Sequence, residues 1–136
     1  MKNEVLIIDD DQIVLLLHRL KVVKSGIHPT PECFETAKDA LNYMKSTMQD
    51  KINFLLLLDI NMYDMDGWEM MEEISKMNLQ GEIFVILVTS SIDYKDKNKA
   101  LNYPLVIDYI EKPLTDTDIA KIKENGQLKE FLKLVS

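Results

Sequence analysis

Cysteine, arginine and long apolar runs are what this chain lacks, and each absence closes off a class of function. A single cysteine, Cys33, permits no intrachain disulfide and no multi-cysteine metal site, which suits a reducing cytoplasm. A single arginine, Arg19, within a net charge of −7 leaves no cluster of cations for a phosphate backbone. Direct nucleic-acid binding is therefore not expected. No stretch approaches the roughly 18 apolar residues of a membrane span, so membrane insertion is not expected either. The N-terminal run Val5-Leu-Ile-Ile8 is too short for a signal-peptide core and meets acids at once. At 136 residues, with 46% hydrophobic content, the chain is expected to form one soluble cytoplasmic domain over residues 1–136.

What is present is a set of short apolar runs that end on polar residues. Phe54 to Leu58 holds four consecutive leucines and stops on Asp59; Val5 to Ile8 stops on Asp9, Asp10 and Asp11. Glu82 to Val88 ends in Thr89-Ser90-Ser91, and Val106 to Ile110 ends in Glu111-Lys112-Pro113. Uninterrupted runs of this length read as strands buried on both faces, as in a parallel sheet. Residues 28–34, with two prolines, fit at most an edge strand.

Helical patterns separate these runs. A helix is expected from Gln12 to Lys24, stopped by Ser25-Gly26, with Ile13, Leu16, Leu17, Leu20 and Val23 as its core stripe. Leu15, His18 and Val22 form a second stripe, covered by a neighbouring helix or, alternatively, forming a homodimer surface. Further helices are expected over 35–49, with Ala37, Ala40, Leu41 and Met44 inward, and over 67–78, with Met70, Met71, Ile74 and Met77 inward. A polar and weakly held helix follows over 93–102. Thr115-Asp-Thr-Asp118 opens a last helix, which Asn125-Gly126 interrupts or ends. Alternating strands and helices indicate an α/β fold, an open five-stranded parallel sheet with helices on both faces.

A parallel sheet delivers the C-terminal ends of its strands to one edge, where such folds bind ligands. Asp9 and Asp10, Asp59, Thr89 and Lys112 converge there. Individually each has an ordinary explanation: Asp9 to Asp11 as a helix cap, Asp66-Gly67 as a turn, Thr89 as a cap, Lys112 as a solvated lysine. Together they describe a site. Clustered carboxylates repel one another, and a hard cation such as Mg²⁺, which takes oxygen ligands and few carboxylates, relieves that repulsion. The combination of an aspartate nucleophile, a lysine and a hydroxyl points to phosphoryl transfer onto Asp59.

In these motifs the chain resembles the response-regulator receiver domains of two-component signalling. The residues that carry the likeness are Ile8-Asp9-Asp10, Leu58-Asp59-Ile-Asn61-Met62 with Asp66-Gly67, Val88-Thr89-Ser90 and Tyr109-Ile-Glu-Lys112-Pro113. The resemblance implies a doubly wound, flavodoxin-like (βα)₅ fold. It also implies that Asp59 accepts phosphate from a phosphohistidine on a sensor histidine kinase or phosphotransfer protein. Asp10, Asp59 and the backbone carbonyl of Asn61 would hold Mg²⁺, with Asp9 acting through water. Thr89 and Tyr109 would form the switch that remodels helix 4, strand 5 and helix 5 for a downstream protein target. The Lys112-Pro113 bond is often cis in the family. Asn61 and Ser91 flank the approach of hydrolytic water and would set phosphate lifetime. Tyr63 stands where the family often has proline.

About twenty residues follow Pro113, enough for a last helix, so a stand-alone receiver, shuttle or phosphate sink is expected. Competing readings fare worse. An aspartate-nucleophile phosphatase would resemble an Asp-x-Asp motif after the first strand, whereas Asp59 is mid-chain and Asn61 replaces the second acid. Flavin binding lacks a phosphate loop after strand 1. An EF-hand over Asp59 to Glu69 fails because Asp64 stands where glycine is required.

Overall fold

The computed structural model describes residues 2–90 and 93–133. The elements run β1 (Lys2–Ile8), α1 (Gln12–Lys24), β2 (Glu32–Phe34), α2 (Ala37–Ser46), β3 (Ile52–Asp59) and α3 (Gly67–Ser75). They continue as β4 (Ile83–Thr89), α4 (Tyr94–Ala100), β5 (Val106–Glu111), α5 (Asp116–Glu124), a 3₁₀ turn (Gly126–Leu128) and α6 (Lys129–Lys133). All five strands are parallel, in the order β2-β1-β3-β4-β5. This is the doubly wound, flavodoxin-like sheet expected from the sequence.

The leucine run explains itself in this setting. Every residue of β3 is buried, because β1 and β4 pair with its two edges and helices cover both faces. Period-two alternation sends Phe54, Leu56 and Leu58 to one face, against Ala40 and Met44 of α2 and Met70 and Met71 of α3. Leu55 and Leu57 go to the other face, against Leu15 and Val22 of α1 and Ile119 and Ile122 of α5. β2 is the short edge strand that two prolines allow. Among the described residues, no helix is long and apolar enough to cross a membrane.

One expectation is reversed. Helix α1 has the predicted bounds, yet Leu15, His18 and Val22 face the sheet, whereas Ile13, Leu16, Leu17, Leu20 and Val23 are exposed. The helix is apolar nearly all round, so hydrophobic patterning could not choose its face. Polar groups choose it instead. Asp11 caps the helix by accepting from the Ile13 and Val14 N–H groups, and the buried His18 ring accepts from the Leu114 N–H at 3.2 Å.

Other helices follow expectation with shorter ends. Thr36 caps α2, and Ala37, Ala40, Leu41 and Met44 are its buried residues. Asp66, read as a turn, is in fact the N-cap of α3 in a capping box with Glu69. Ala100 is the buried residue of α4, which leaves that helix weakly anchored. Thr115 and Asp118 form the expected capping box of α5. Asn125 ends that helix and caps the 3₁₀ turn, and Phe131 of α6 is then held by the Asn3 side-chain amide, which donates to its carbonyl at 2.7 Å.

Candidate functional site

Strand register assembles the site. β1 and β3 pair with Ile8 opposite Leu58, so Asp9 and Asp59 emerge side by side at the centre of the sheet. This is the point where strand order reverses, outside the carboxyl ends of the strands. Thr89 ends β4 one residue beyond the partner of Asp59. Lys112 follows β5, and its N–H donates to the Thr89 carbonyl at 2.7 Å. The next peptide bond, Lys112-Pro113, is cis.

The side chains converge. Lys112 Nζ lies 3.0 Å from Asp9 Oδ2 and 3.3 Å from Asp59 Oδ2. The first contact is a hydrogen-bonded ion pair; the second is an ion pair without hydrogen-bond alignment, which leaves Asp59 Oδ2 buried and unbonded. Asp59, Asp9 and Thr89 are buried, whereas Asp10 is exposed at the rim. Carboxylate oxygens of Asp9, Asp10 and Asp59 lie within 4.8 Å of one another. Asp59 Oδ1 accepts from the Asn61 N–H at 3.3 Å, and Asp9 Oδ1 accepts from the Asp11 N–H at 2.9 Å.

The electrostatics follow from three acids facing one ammonium. Burial, and then Asp9, push the Asp59 carboxyl up to about 6, although Lys112 and the Asn61 N–H pull in the opposite direction. Burial works against the Lys112 charge, but Asp9 and Asp59 outweigh it and hold its pKa above the ordinary lysine value. The cluster therefore has negative charge in excess, one buried oxygen without a hydrogen bond, and oxygen donors only. That chemistry fits a hard divalent cation and gives zinc nothing to prefer.

Of the residues singled out from sequence, Asp9, Asp10, Asp59, Asn61, Thr89 and Lys112 are brought to one place. Tyr109 lies on β5, and its hydroxyl is buried beside Thr89 and the Asp93 backbone without a well-aligned hydrogen bond. Burial raises its pKa, and the nearby Asp96 and Asp93 carboxylates add to that rise. Ser91 lies outside the described residues. Tyr63 stands in the loop after β3 and is 84% exposed.

Two contributors went unrecognised in the sequence. Pro113 has no N–H, so the first donor after Lys112 is that of Leu114, and His18 on α1 supplies its acceptor. Burial, and then the Lys112 charge, lower the His18 pKa to about 4, which keeps the ring neutral and able to accept. A histidine set in an otherwise apolar stripe was the available signal. The second is Gly67. A Cβ there would sit 2.8 Å from the Asp59 carbonyl oxygen, so the backbone can close behind the aspartate only without a side chain.

Known proteins resemble this chain in sequence and in fold. A family model described as the response regulator receiver domain matches residues 5–124. No curated protein matches the chain. Among solved structures, a two-component response regulator from Cytophaga hutchinsonii is 25% identical, with a TM-score of 0.78 over 91% of this chain and 96% of that one. A CheY-like receiver domain protein from Methanospirillum hungatei is 26% identical, with a TM-score of 0.70 over 98% of both chains. A receiver protein from Dyadobacter fermentans, at 22% identity, 90% and 95% coverage and a TM-score of 0.77, shares the fold.

Proposed function

The chain belongs to the response regulator receiver domain family, and from that premise we propose that it accepts a phosphoryl group on Asp59 from a phosphohistidine. The donor is a sensor histidine kinase or a phosphotransfer protein in the cytoplasm. The observation that carries the reading is the buried Asp59 carboxylate facing Asp9, Asp10 and the Lys112 ammonium at the switch point of the sheet.

The chemistry is a displacement at phosphorus. A carboxylate oxygen of Asp59 forms the new P–O bond, the P–N bond to the donor imidazole breaks, and the imidazole nitrogen keeps the electron pair. Lys112, already 3.3 Å from Asp59, stabilises the negative charge on the phosphoryl oxygens. The Thr89 hydroxyl, at the end of the neighbouring strand, would do the same. Asp10, Asp59 and the backbone carbonyl of Asn61, with Asp9 through water, would hold Mg²⁺, which when bound neutralises the repulsion between nucleophile and phosphoryl group. Burial keeps bulk water from Asp59, while Asn61 and Ser91 govern the access of hydrolytic water.

The output is a protein-interaction surface on α4, β5 and α5. Thr89 moving toward a new phosphoryl dianion draws on the space beside it, where the Tyr109 hydroxyl already lies, and α4 is weakly enough anchored to respond. Incubation with acetyl phosphate and Mg²⁺ is expected to give one acid-labile phosphate on the wild type, none on Asp59→Asn, and none when the metal is chelated. Equal labelling of Asp59→Asn would overturn the assignment.

A further inference from the structure

Helix α1 carries an apolar face that its own fold leaves outside. Ile13, Leu16, Leu17, Leu20 and Val23 range from 37% to 70% exposed. They stand together on one helix, unlike the scattered single residues of an ordinary surface. Ile13, Leu16, Leu20 and Val23 follow the three-four-three spacing of a coiled-coil seam. That spacing reads the same in both directions. Two copies laid antiparallel place Ile13 of each against Val23 of the other, and Leu16 against Leu20, in four apolar layers about a two-fold axis near residue 18.

Charge selects the same orientation. α1 starts beside Asp10 and Asp11 and ends on Lys21 and Lys24. The antiparallel pair sets Lys24 of each copy near the aspartates of the other and opposes the helix dipoles; the parallel pair sets lysine against lysine. A groove of about 530 Å³ between α1 and α5, lined by Leu17, Leu20, Lys24 and Ile119, continues the apolar surface beside the seam. A two-fold contact needs one self-complementary patch, and this face meets that requirement.

We propose that the exposed face of α1 is a homodimerisation surface on which a second copy of this chain packs its own α1 antiparallel. The contact is small, at the low end of specific interfaces, so the dimer is a weak one that forms at about 100 µM. This inference does not rest on the proposed phosphoryl transfer and holds whether or not Asp59 accepts phosphate.

Sedimentation velocity from about 10 µM to about 1 mM tests it. The wild type is expected to pass from monomer to dimer, and Leu16→Glu and Leu20→Glu to weaken association by at least about tenfold. Both should keep the wild-type urea midpoint, since neither side chain is in the core. Leu101→Glu, at an exposed site away from α1, should dimerise normally. Orientation is read by disulfide trapping in a Cys33→Ser background. Ile13→Cys mixed with Val23→Cys is expected to cross-link, whereas either variant alone is not. A chain that stays monomeric to about 1 mM overturns the proposal and leaves the face to another protein, a phosphodonor among them. A dimer indifferent to Leu16→Glu, or one trapped by Ile13→Cys alone, overturns it equally.

Discussion

Helix α2 buries Ala37, Ala40, Leu41 and Met44 and turns Lys38, Asp39, Asn42 and Lys45 to solvent. Helix α1, on the opposite face of the same sheet, buries Leu15, His18 and Val22 and turns Ile13, Leu16, Leu17 and Leu20 outward. Burial of apolar area decides the orientation of α2, because rotating it would drown one face and dry the other. It scarcely distinguishes the two faces of α1. There a cap on Asp11 and the acceptor nitrogen of His18 decide, contributions of about 1 kcal/mol each where the hydrophobic term is nearly balanced.

The strongest way to break this comparison is a charge on each side of α1. Val22→Asp places an unpaired carboxylate in the core and is expected to cost about 4 kcal/mol or more, enough to abolish a cooperative urea transition. Val23→Asp, one residue on, should change stability by less than about 0.5 kcal/mol in dilute solution. The reverse result would mean that the face assigned to the core is wrong.

Next in size is truncation of a buried residue on α2. Met44→Ala is expected to cost about 2–5 kcal/mol by loss of burial and a residual cavity. The corresponding Leu20→Ala on α1 should cost under about 1 kcal/mol. Denaturant midpoints of the pair measure how unequal the apolar residues of these helices are.

Acid sharpens the polar side of the comparison. His18 is neutral in the fold, with its pKa lowered from 6.5 to about 4, so the unfolded chain binds the extra proton between those values. Above about pH 6.5 this linkage costs the fold nothing, and as pH falls toward 4 it removes about 3 kcal/mol of stability, the cost of excluding a proton from the buried ring rather than the worth of its hydrogen bond. Stability measured against pH should therefore fall more steeply for the wild type than for His18→Gln over that window. Parallel curves would remove His18 from the account of why α1 sits as it does.

The smallest expected effect is at the Lys21–Asp116 pair, 2.7 Å long and joining α1 to α5 at the surface. Lys21→Met should leave the urea midpoint unchanged within error, since an exposed pair loses in solvation and entropy what it gains in attraction. A clear loss would show that α1 is oriented by its surface charges as well as by its buried groups.

The same contrast explains what could be read in the sequence. Asp9, Asp59, Thr89 and Lys112 were legible because each interrupts or follows an apolar strand, and the parallel sheet leaves no freedom in where strand ends go. The α2 stripe was legible because only one face of that helix is apolar. The α1 face was not, because its orientation depends on a hydrogen bond between residues 96 positions apart. Asp66-Gly67 reads as a turn, yet Asp66 and Glu69 also have the spacing of a capping box, which is the role the fold gives them. Gly67 could not be understood before the Asp59 carbonyl behind it was seen.

That glycine has a consequence for engineering. Its N–H donates to the Ile60 carbonyl at 2.9 Å, and the space where its Cβ would stand is closed by the Asp59 carbonyl oxygen and the Ile60 Cα. The loop over 61–66 thus departs and returns at nearly one point, with Asp64 in the left-handed region at φ 65° to make the bend. Such a stitched base separates the tip from the strand that carries Asp59. Foreign sequence, a short epitope or a fluorophore anchor, belongs at Tyr63, where the chain can be lengthened while the backbone beneath Asp59 stays in register.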